Sequence, residues 1–119
     1  MGADYEDMLS SNGIDYAEAM DRFGGNADLF KRLALKFLDD PHFSALENAL
    51  AAGDVETAYH EAHSLKGVAG NLSFTDLYEA ASRVSDALKS GDLPAAKALV
   101  IRAREAYASA IAALRMMEQ

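Results

Sequence analysis

Apolar residues recur along this chain at the three- and four-residue steps of amphipathic helices. The clearest case is Val55, Ala58, Ala62, Leu65, Ala69 and Leu72, a continuous stripe that predicts a central helix capped by Asp54, with Glu56 in its first turn. Upstream, Asp15 can cap a short helix over 15–23 whose apolar side is Tyr16, Met20 and Phe23. Gly24-Gly25 ends it, and Asn26 can cap a second helix in which Leu29, Phe30, Leu33, Phe37 and Leu38 keep helical spacing. Pro41 removes a backbone donor and restricts Asp40, which predicts a break or kink before Phe43, Leu46 and Leu50 resume the pattern up to Gly53. Downstream, Ser73-Phe74-Thr75-Asp76 reads as a capping box with Asp in place of Glu, opening a helix with Leu77, Ala81, Val84 and Leu88 on its core side. Ser90-Gly91 stops that helix. Asp92 caps a last one, in which Pro94 is tolerated and Ala96, Leu99, Ala103, Tyr107, Ile111 and Leu114 form a seam.

No segment alternates like a strand, and no Asn-Gly hairpin signal is present. Short loops between successive helices favour antiparallel neighbours. The expected fold is all-α: an up-and-down antiparallel four-helix bundle with a short extra N-terminal helix. Residues 1–12 read as a flexible polar lead-in, and residues 13–119 as the bundle domain.

Composition narrows the function. The 119 residues suit one domain, half are hydrophobic, and only two are proline. Without cysteine the chain has no disulfide, zinc-thiolate site or thiol nucleophile. A net charge of -8 with no lysine/arginine patch argues against nucleic-acid binding and for a protein partner. The acidic start lacks an apolar signal region and no apolar run is long enough to span a bilayer, so the expectation is a soluble cytoplasmic chain or a soluble piece of a larger one.

The chemistry concentrates on one side of the central helix. His63 lies beside the apolar stripe, with Lys66 three residues on and Gly67 four residues on. Gly67 and Gly70 fall on the side of His63, and Lys66 lies between that side and the core edge. Each glycine inside a helix is about 1 kcal/mol worse than alanine, in a sequence that uses alanine freely. The gain expected from them is clearance, since a partner's backbone can approach His63 where no Cβ intervenes.

Ala62-His63-Ser64-Leu65-Lys66-Gly67, followed by Val68-Ala69-Gly70-Asn71-Leu72, resembles the signature of histidine-containing phosphotransfer (HPt) domains. Gly13-Ile14-Asp15, Phe23-Gly24-Gly25-Asn26 with Leu29-Phe30, Ala49-Leu50 through Gly53-Asp54, and Ser90-Gly91-Asp92 extend the resemblance along most of the chain. Ser73 and Val84-Ser85 depart from it, where the family often has glycine and Leu-Glu.

The resemblance implies a phosphorelay carrier rather than an enzyme. His63 would accept a phosphoryl group from the aspartyl phosphate of one receiver domain, through Nε2, and pass it to another. Lys66 would offset the phosphoryl charge. His60, Ser64, Gly67 and Gly70 would contribute to docking. The partners implied are response-regulator receiver domains or a sensor histidine kinase, met by a monomer. No cofactor is expected on this chain, the Mg²⁺ being brought by the receiver. Two alternatives share the residues: the phosphoacceptor domain of a chemotaxis-type histidine kinase, and a non-phosphorylated helical scaffold.

Other constellations fail on spacing. His60 and His63 lack a third ligand, and position 64 is serine where a His-Glu-x-x-His zinc pattern needs histidine, so no metal site is expected. A di-iron bundle needs two Glu-x-x-His motifs, and Asp39, Thr57 and His60 precede the three histidines by three residues. Ser64 cannot bond the adjacent His63, because neighbouring helical residues point apart. His42, beside Pro41, reads as a loop residue. No phosphate-binding loop for ATP is present.

Overall fold

The computed structural model describes residues 2–118, with side chains from residue 5 onward. The elements in order are α1 (Gly2–Ser11), α2 (Tyr16–Arg22), α3 (Ala27–Lys36), a 3₁₀ turn (Phe37–Asp39), α4 (His42–Ala52), α5 (Val55–Asn71), α6 (Thr75–Lys89) and α7 (Leu93–Met117). Among the described residues there is no strand. Helices α4 to α7 form an up-and-down bundle: α5 packs between α4 and α6, α6 packs on α7, and α7 returns to α3 and α4.

Four of the predicted caps close as expected. The side-chain oxygens of Asp15, Asn26, Asp54 and Asp92 accept from the backbone N–H groups of Glu18, Leu29, Thr57 and Ala95 at 3.0 to 3.1 Å. Each satisfies a helix-start donor that would otherwise lack a partner. Pro41 breaks the chain as predicted, with the 3₁₀ turn before it and a new helix after it.

The stripe of α5 forms the centre of the core. Ala58, Ala62, Leu65 and Ala69 are wholly buried, and Leu72 nearly so. Three alanines let α5 approach its neighbours closely, and large side chains from other elements, Phe30, Phe37, Leu46, Phe74 and Leu77, fill the remaining volume. Aromatic pairs stitch the N-terminal elements to the bundle, with Phe37 edge-on to both Phe74 (5.3 Å) and Tyr107 (5.8 Å).

Three expectations need correcting. Residues 1–12 were expected to be a loose lead-in, yet Gly2–Ser11 is helical and Leu9 is fully buried. The helix is too short to hold alone. Tertiary packing supplies the difference: Tyr5 lies edge-on to Tyr16 at 5.5 Å, and the Ile14 N–H turns back to the Leu9 carbonyl at 2.9 Å.

Ser73 does not cap α6. Phe74 occupies the cap position and makes no side-chain cap bond. Ser73 instead ends α5 in the left-handed region, at φ 58. The Ser73 N–H donates to Gly70 O at 3.2 Å and the Phe74 N–H to Ala69 O at 2.9 Å, the paired bonds of a Schellman ending. Reversing the chain between two antiparallel helices in a few residues requires that left-handed step, and it outweighs the capping preference.

His42 is not in a loop. It opens α4, and its Nδ1 lies 2.8 Å from Glu61 Oε1 on α5. Pro41 prepares this by setting the first turn of α4 rather than an extended loop.

Candidate functional site

The N-cap of α5 sets where its histidine emerges. Asp54 accepts from Thr57, and that bond holds the Asp54 carboxyl below the usual carboxylate range, keeping it ionised at the positive end of the helix dipole. From there, helical spacing buries Ala58, Ala62, Leu65 and Ala69 and leaves His60 and His63 exposed. His63 therefore stands on the solvent side of a helix packed between α4 and α6, on a backbone that the core holds in place.

His63 faces a groove of about 480 Å³. Lys66, Gly67, Gly70 and Asn71 of α5 form one wall. Ser73, Thr75 and Tyr78 come from the following turn and α6, and Glu18 and Arg22 reach in from α2. Lys66 is half-buried, and its Nζ lies 5.9 Å from the centre of the Tyr78 ring. On the other side of His63, one turn earlier, the Tyr59 ring lies 5.9 Å from the imidazole with 26° between the planes.

The two helix glycines do different things. Among the described residues, outside its own helix backbone and chain neighbours, no heavy atom would lie within 4 Å of a Cβ placed at Gly67. Its missing side chain leaves space open to whatever approaches His63. A Cβ at Gly70 would instead meet Tyr78 Cδ1 at 3.0 Å and Cε1 at 3.2 Å. Gly70 is bare because Tyr78 lies across it. The clearance expected from both glycines is thus a property of Gly67, while Gly70 serves packing within the domain.

The groove brings together His63, Lys66, Gly67 and Gly70. Exposed His60 and half-buried Ser64 lie outside its lining, and His60 is edge-on to Tyr59 at 5.6 Å. Sequence reasoning missed Tyr59, Tyr78, Arg22 and Ser73. Tyr59 was within reach, being four residues before His63 on the same helix face. The others arrive through tertiary packing.

A family model of the Hpt domain matches residues 39–116, which include α4, α5, α6 and nearly all of α7. The chain belongs to the Hpt family. No curated protein and no solved structure matches it. The resemblance in the histidine helix is thereby shown at the level of the domain, and α1 to α3 lie outside the matched span.

Hpt domains are phosphotransfer carriers, and this Hpt chain is a module for histidine phosphotransfer in two-component phosphorelays, whose members work with receiver domains or histidine kinases. The groove has the chemistry for it: an exposed imidazole, two cationic side chains from different helices and open space over the backbone at Gly67. Among the described residues no group of three or more acidic or histidine side chains is placed to hold a metal ion. No helix among them is long and apolar enough to cross a membrane.

Proposed function

We propose that this Hpt domain carries a phosphoryl group on His63, taking it from the aspartyl phosphate of one receiver domain and passing it to the aspartate of another. The observation that supports the reading is the exposed His63 on α5, facing a groove shared with Lys66 and with the open backbone of Gly67.

In the forward step the lone pair of Nε2 attacks phosphorus while the bond from phosphorus to the aspartate oxygen breaks, and the aspartate leaves as a carboxylate. The ring proton stays on Nδ1. In the onward step a second receiver's carboxylate attacks phosphorus, the P–N bond breaks, and neutral imidazole is restored. Lys66 offsets the charge on the transferring oxygens, and Gly67 leaves room for the receiver's loops. His60, Ser64 and Gly70 border the docking area, and Mg²⁺ belongs to the receiver's site. A relay must release each partner, so the interface is small and dissociates quickly.

The test is to incubate the full chain with a phospho-charged receiver domain. The expected result is an acid-labile, base-stable label on the wild type that disappears in His63→Gln. Label that survives His63→Gln, or no transfer from several receivers, overturns the assignment.

A further inference from the structure

We propose that Arg22 is a second cation for the phosphoryl group on His63, held in readiness by Ser73 and Glu18, so that Lys66 and Arg22 clamp the group from two helices. The inference rests on the carrier reading of His63. It adds a residue from α2, outside the span that the Hpt family model matches.

Arg22 and His63 border one groove. The guanidinium is tethered there at two atoms: Nε donates to Ser73 Oγ at 3.4 Å, and Nη2 to Glu18 Oε1 at 3.3 Å. Both contacts are longer than the roughly 2.7–2.9 Å of a strong charge-assisted bond. A guanidinium offers about five N–H donors, so these two leave most of its capacity unspent. The side chain is 46% exposed, which leaves it able to turn toward a group on His63.

Ser73 is the stronger clue. It is 1% exposed and sits at φ 58, a conformation that strains a residue with a Cβ and that glycine adopts freely. The Schellman ending explains the left-handed backbone but not the side chain. What the hydroxyl adds is the bond to Arg22, which fixes the guanidinium to the α5–α6 turn beside His63. Glu18, on the same groove, gives Arg22 a weak anionic partner while the histidine is unmodified.

A phosphoryl dianion outcompetes that partner. It carries more charge than one carboxylate and presents oxygens that match the planar fork of arginine. Its arrival also repels Glu18. Arg22 therefore exchanges Glu18 for the phosphoryl group while Ser73 keeps the guanidinium in place.

The test phosphorylates the full chain with potassium phosphoramidate, where Nε2 bonds to phosphorus as the bond to ammonia breaks and ammonia leaves. Phosphorus NMR then follows the titration of the phosphohistidine. A nearby cation favours the dianion, so Arg22→Gln is expected to raise the midpoint by about 0.3 pH units or more. Arg22→Lys should recover part of the shift, and circular dichroism should show the same helix content in all three. A midpoint that Arg22→Gln leaves unchanged overturns the clamp, whatever Lys66→Gln does. A wild type that gains no phosphorus signal on His63 overturns the carrier reading and the clamp with it.

Discussion

The Tyr59 ring lies nearly parallel to the His63 imidazole, with centroids 5.9 Å apart and 26° between the planes. The pair are one helical turn apart, so α5 alone sets the contact. It restrains rotation of the imidazole, which borders the groove.

Tyr59→Ala should therefore slow phosphorylation of His63, while Tyr59→Phe, which keeps the ring, should not. Aromatic pairing of this kind is worth about 0.5–1.5 kcal/mol, which corresponds to a slowing of about two- to tenfold. The measurement is the rate of phosphohistidine formation from phosphoramidate, which needs no partner protein. Equal rates for the alanine variant and the wild type would show that the ring does not orient the histidine.

The two glycines of α5 should separate in a thermal melt. Gly67→Ala meets open space in a helical conformation and should stabilise by about 0.5–1 kcal/mol. Gly70→Ala has the same helix gain but pushes Tyr78 aside, so its gain should be smaller or reversed. In a Tyr78→Ala background the two substitutions should become equivalent, which a double-mutant cycle reads directly. Gly67→Leu should keep the fold yet slow transfer from a receiver, since it fills the space beside His63.

At position 73 the backbone and the side chain pull in opposite directions. Ser73→Ala keeps the left-handed strain and loses the bond to Arg22; Ser73→Gly loses the bond and the strain. The glycine variant should be more stable than the alanine variant by about 1 kcal/mol. Urea denaturation of the pair measures this, and equal midpoints would show that the left-handed step carries no strain.

Tyr107 should make stability fall in alkali. Burial pushes its phenol up, with Asp40 and Glu47 adding to the effect, so the folded chain favours the neutral form. The contribution is complete below the unfolded value, about 10, and is lost as pH rises through that value toward the raised folded one. Tyr107→Phe keeps the stacked contact with Phe43, whose ring lies 4.4 Å away at 13°, and removes the titrating group. Its denaturation midpoint should fall less than the wild type's between about pH 9 and 11. An identical fall would assign the alkaline loss to other groups.

How much could be read without the fold follows from the range of each interaction. Helix periodicity and N-caps are local: Asp54 bonds Thr57, and Ala58, Ala62, Leu65 and Ala69 share a face, whatever surrounds them. The sequence by itself therefore determined helices α2 to α7, the break at Pro41, the all-α class, and the side of α5 on which His63, Lys66 and Gly67 lie together. Contacts that cross a loop have no such signature. Helix α1 persists only because Tyr5 and Leu9 find partners, and His42 bonds Glu61 only because α4 and α5 lie antiparallel. The tertiary structure alone decided that Gly70 is bare for Tyr78 and that Ser73 turns left-handed. It also decided that Arg22 reaches the groove of His63, because closing the bundle puts the end of α2 against the turn between α5 and α6.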